Sequence, residues 1–183
     1  LPHKLAAPTD VLDARHHFIS PSIDRFEKQM RKRRATHAVA RRLGLNVNRV
    51  AALVQRASEA GLLPVTTGSN RPDLSHRQLA TLLIAAVADN GLGNAPGSVR
   101  EFAALSAGAL RFDDWLESLI AGRVNAEPIL SVVLQLDPAA VTVLTGATQL
   151  EFGNAAHGAT TRVTAISGEA LRDLIEDFQN GVG

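Results

Sequence analysis

Apolar residues recur at three- and four-residue intervals through most of the first 120 positions, the spacing that gives a helix one buried stripe. Residues 1–22 read as an N-terminal arm with a short helix around Val11–His17. Ser20-Pro21 then supplies an N-cap and a proline at the first helical position, and Ile23, Phe26 and Met30 share one face, which predicts a helix. Two more follow, about Thr36–Leu43 and Val47–Ala60, divided by Gly44-Leu45-Asn46 and closed by Gly61. Leu62–Asn70 is extended in character, one side of a rudimentary wing or a linker. Ser75 with Gln78 is a capping-box pair opening a very apolar helix to about Ala88, and Ser98 with Glu101 repeats the signal ahead of Val99, Phe102 and Leu105. Asp89–Gly97 between them reads as loop, and Phe112, Trp115, Leu116 and Leu119 predict a further helix over Phe112–Ala121.

Beyond Ala121 the period shortens. Ile129–Leu136, Val141–Leu144, Gln149–Phe152 and Thr161–Ile166 are short runs of Val, Ile, Leu and Thr between turn residues, the pattern of a small antiparallel sheet. A last helix, Gly168–Asn180, aligns Leu171, Leu174, Ile175 and Phe178 so that they can cover that sheet. The expected class is α+β. Residues 23–73 form a helical domain, residues 74–123 a central helical region, and residues 124–183 a small α/β domain for assembly or partner binding.

Composition narrows the chemistry. A 45% apolar and 20% charged chain belongs with folding sequences and not with disordered ones. Six Phe, one Trp and no Tyr leave few rings on which single-stranded bases could stack. Without cysteine there is no disulfide, thiolate nucleophile or thiolate metal site, which fits a cytoplasmic setting. No apolar run approaches the length of a membrane span, and a start at Leu1 without Met reads as processed or truncated. The net charge of +1 conceals a division: residues 1–100 hold 15 basic and 7 acidic residues, whereas residues 101–183 hold 4 and 11. Within residues 23–59, 10 basic residues face 3 acidic ones, a field that attracts polyanions.

The stretch THAVARRLGLNVNRVAALVQ, Thr36–Gln55, carries the most specific pattern. Ala40 is small where two helices must approach, Gly44 sits at the redirecting turn, Val39, Leu43 and Leu45 fill one side, and Val50 and Leu53 return from the second helix. These 20 residues resemble the helix-turn-helix superfamily of DNA-binding proteins. The resemblance implies that the second helix enters the major groove, with Asn46, Val47, Asn48, Ala51, Ala52 and Gln55 as candidate base contacts. Asn48 and Gln55 offer amides suited to adenine, and Val47 or Ala51 suits a thymine methyl. Asn46 reads better as an N-cap, and the two alanines soften sequence discrimination. Arg31, Lys32, Arg33, Arg34, Arg41, Arg42, Arg49 and Arg56 are the candidate phosphate contacts.

Other chemistry is weak. His16-His17 with Asp13 lacks a second ligand cluster, Asp113-Asp114 and Glu176-Asp177 fit solvated helix surfaces, His157 fits an exposed loop, and no glycine pattern cradles phosphate. The sequence thus predicts a non-enzymatic, cofactor-free protein that binds double-stranded DNA with some sequence influence as a transcriptional regulator and acts as a homo-oligomer, a dimer. A phage-type DNA-packaging recognition subunit and a protein-interaction adaptor are the alternatives. The acidic carboxyl part is assigned to self-association or partner binding, away from phosphate.

Overall fold

The computed structural model describes residues 30–65, 73–155 and 161–181. The predicted arm, the start of the helix at Pro21, the Asp13-His16-His17 group, the wing residues Thr66–Asn70 and His157 lie outside them. The described residues form an α+β fold: helices first, then a four-stranded antiparallel sheet and a closing helix.

A two-residue strand, β1 (Met30–Arg31), pairs antiparallel with β2 (Asp73–Leu74), so the stripe that predicted helix as far as Met30 ends in extended backbone. Met30 is buried there, while Ile23 and Phe26, the other members of that stripe, lie outside the described residues. Helix α1 (Lys32–Arg42) therefore begins four residues earlier than its apolar pattern indicates, because polar residues in a first turn carry no periodicity. Helix α2 (Val47–Glu59) follows a tight turn, and α3 (His76–Val87) starts on the predicted capping box, with Ser75 and Gln78 each bonded to the other's backbone N–H. Helix α4 (Ala95–Ala104) departs from expectation. It starts at Ala95 with Pro96 in its first turn, and Ser98 is a buried interior residue and not a cap. A small hairpin, β3 (Ser106–Ala107) and β4 (Leu110–Arg111), leads into α5 (Phe112–Ile120).

The sheet contains β5 (Ile129–Leu136), β6 (Ala139–Thr145), β7 (Gln149–Gly153) and β8 (Val163–Ser167) in the order β7-β6-β5-β8. Register places Val132 opposite Val143 and Ile166, and Val141 opposite Leu134 and Phe152, so one face is mainly apolar, with Thr164 opposite Leu134 at its β8 margin. Helix α6 (Gly168–Asn180) covers that face with Leu171, Leu174 and Phe178. Helix α5 packs there as well, since Phe112 and Trp115 meet Phe152 with ring centroids 5.3 and 5.8 Å away.

The boundaries expected near residues 74 and 124 do not interrupt the interior. One continuous cluster runs from Val39 of α1 and Val54 of α2 through Leu82 and Trp115 to Leu134 and Phe178. The reason is α6, which packs on β5 and β8 and also on α1 and α5, so the helix that completes the sheet also supports the amino-terminal pair.

Candidate nucleic-acid interface

Local signals build the α1–α2 junction. Gly44 takes φ +63°, a left-handed conformation that other residues adopt at a cost, while Leu43 N–H reaches Val39 O at 3.0 Å and Leu45 N–H reaches Ala40 O at 2.8 Å. Asn46 then caps α2: its Oδ1 accepts from Asn48 N–H at 3.0 Å and Arg49 N–H at 3.2 Å. The Asn46 side-chain oxygen is thus engaged by its own helix, as its N-cap reading expected. Asn48, Ala51 and Gln55 lie on the exposed face of α2, with Val47 and Ala52 half-buried beside them. The Gln55 amide bonds Glu59 Oε1 at 3.1 Å, and Arg56 pairs with the same carboxylate at 3.0 Å.

The basic candidates separate into two groups. Arg42 belongs to α6: its Nε and Nη2 donate to Asp177 at 2.7 and 2.9 Å and its Nη1 to Asp173 at 2.8 Å. Arg41 reaches the same Asp177 at 3.0 Å. Arg49 grips Asp89 through two bonds of 2.7 and 2.8 Å. Lys32 Nζ donates to Pro64 O at 2.7 Å and Ser58 Oγ at 3.1 Å, tying the start of α1 to the chain leaving α2, and burial pushes its ammonium below the usual lysine range. Arg42, Arg49 and Lys32 thus tie elements of the fold together. Each carboxylate responds accordingly: hydrogen bonds from Arg42, and next from Arg41, hold Asp177 below the ordinary range against the opposing effect of burial, and Arg49 does the same for Asp89.

Two acidic pairs expected on solvated surfaces are each split. Asp113 and Asp177 are only 7% and 5% exposed, Asp113 being ion-paired with Arg77 and Arg111. Hence the charge division between the two halves is partly cancelled by ion pairs between them, in which basic Arg41, Arg42 and Arg77 meet acidic residues from beyond position 110.

Arg41 and Arg56 keep exposed side chains beside their carboxylates, and the start of α1 is basic and outward as well. Arg31, Arg33 and Arg34 are exposed, with Arg34 only loosely tied to Gly181 O at 3.4 Å. They line one concavity of about 670 Å³ together with Val47, Asn48, Ala51 and Gln55 of α2. His37, one turn beyond Arg33, lines it too. Apolar periodicity and the count of Lys and Arg do not single out this residue, although its four-residue spacing from Arg33 was the available signal. Helix α1 has no acidic residue in its first turn. Cations there sit at the positive end of the helix dipole, an arrangement that costs free energy alone and is relieved by an anion.

No family model, no curated protein and no solved structure matches this chain. Among the described residues, no group of three His, Asp or Glu side chains could hold a metal ion, and no helix is long and apolar enough to cross a membrane.

Proposed function

We propose that the chain binds double-stranded DNA through this concavity and the adjoining face of α2, as a regulator of transcription. The observation that carries the reading is the meeting of two separately inferred groups, the basic run Arg31–Arg34 and the exposed amide face of α2, in one surface. In this reading a sugar-phosphate backbone lies between the two helices. Arg31, Arg33 and Arg34 neutralise it with His37 alongside, while Asn48 and Gln55 reach base edges. Ala51 and Ala52 between those amides leave room for thymine methyls and contribute little discrimination.

Fluorescence anisotropy against duplexes selected from a random pool, repeated over a salt series, tests this. Replacing Arg33 and Arg34 together with Ala should weaken binding to every duplex and flatten the salt slope by roughly 2, about 0.9 for each phosphate no longer neutralised. Asn48→Ala should cost roughly 1–3 kcal/mol on the selected duplex and less on a scrambled one. A folded wild-type chain without salt-sensitive duplex binding would refute the reading and favour an adaptor.

A further inference from the structure

The two edges of the sheet are unlike. β7 has β3 lying against it, carries Glu151, and ends at Gly153 with φ +76°, where an added Cβ would come within 2.9 Å of Leu105 Cδ2. These are the charges, bends and covers by which proteins block unwanted strand pairing. Among the described residues, β8 has none of them. Its sequence Val-Thr-Ala-Ile-Ser is uncharged and free of Pro and Gly, its ladder to β5 is unbroken from Val163 to Ser167, and among the described residues no strand pairs with its outer side.

Main-chain direction shows what this edge offers. Leu136 N–H donates to Arg162 O at 2.9 Å, so Arg162, Thr164 and Ile166 direct their backbone groups toward β5. Val163, Ala165 and Ser167 then direct theirs outward, and all three are exposed, Val163 to 56%.

We infer that a second copy of this chain pairs with this edge, β8 against β8 antiparallel about a two-fold axis at Ala165. Val163 then lies opposite Ser167 of the other copy, Ala165 opposite Ala165, and roughly four main-chain hydrogen bonds join two four-stranded sheets into one. Charge selects this register and direction. Arg162 and Glu169, both exposed, stand just outside the two ends of β8. The two-fold sets Arg162 opposite Gly168 of the other copy and next to its Glu169, twice over. A parallel arrangement would instead set Arg162 beside Arg162 and Glu169 beside Glu169. The Arg162 guanidinium already donates one N–H to Asp89 O at 2.6 Å, which holds the side chain in place while leaving further donors.

Sedimentation equilibrium of the full chain without DNA tests this inference independently of any nucleic-acid binding. The wild type should approach twice its 19.4 kDa as concentration rises. Arg162→Glu and Glu169→Arg should each weaken association by about tenfold, and the two together should restore it. Ala165→Pro removes an outward N–H and should yield monomers, with circular dichroism reporting that the fold persists. If that variant fails to fold, the charge exchange still decides. A wild type that stays monomeric throughout overturns the inference, as does a dimer indifferent to the single charge reversals or one that the double exchange fails to restore.

Discussion

Replacing Asp177 with Asn should destabilise the protein at neutral pH and hardly at all in acid. The Asp177 side chain is 6% exposed and accepts three charge-assisted hydrogen bonds, two from Arg42 and one from Arg41. Removing one member of a fully buried ion pair costs about 3–5 kcal/mol. Here the two arginine side chains are 32% and 55% exposed, so water resolvates them once the carboxylate is gone, and Asp173 remains beside Arg42. The expected loss is therefore about 2 kcal/mol, or roughly 4–8 °C in Tm for a chain of this length. The folded-state pKa of Asp177 is depressed, so its contribution is complete above the unfolded carboxyl value, about 3.9, and disappears as pH falls through the folded value. Urea denaturation of both proteins at pH 7 and at successive steps below about pH 4 checks this. A gap that persists unchanged at the acid end, or one under about 0.5 kcal/mol at pH 7, would refute the assignment of Arg41 and Arg42 to α6.

Gly168→Ala should be among the most damaging small substitutions, because an added Cβ would overlap the Ile129 carbonyl oxygen and lie 2.8 Å from its carbonyl carbon, both rigid backbone. A loss of about 3 kcal/mol is expected despite alanine's better helix propensity, and thermal unfolding followed by circular dichroism measures it. Asn46→Ala should lower stability by about 1 kcal/mol through removal of the cap, yet leave the difference in affinity between selected and scrambled duplexes intact, which denaturation and anisotropy on the same preparation would show.

Features legible in the sequence depend on neighbours a few residues apart. Gly44 at the turn, the Asn46 cap and the Ser75-Gln78 box all appear where expected, because each satisfies backbone groups within its own helix end. The strands and α6 were legible too, since alternation and helical spacing record which face is buried whatever covers it. β1, the early start of α1 and the start of α4 were not. Met30 is buried in either conformation, and the first turn of α4 rests on Pro96 where Ser98 mimics a cap.

The candidate site divides in the same way. The exposed face of α2 follows from helical phase alone, which is why Asn48, Ala51 and Gln55 emerge together. The fate of each arginine does not follow from phase, because it depends on carboxylates 40 positions away for Arg49 and 135 away for Arg42. Sequence thus determined that positive charge gathers around α1 and α2. Only tertiary packing, by bringing α6 and Asp89 against them, decided which charges are paired with carboxylates and left Arg31, Arg33 and Arg34 facing outward, since ion pairing acts through space and leaves no local period in the chain.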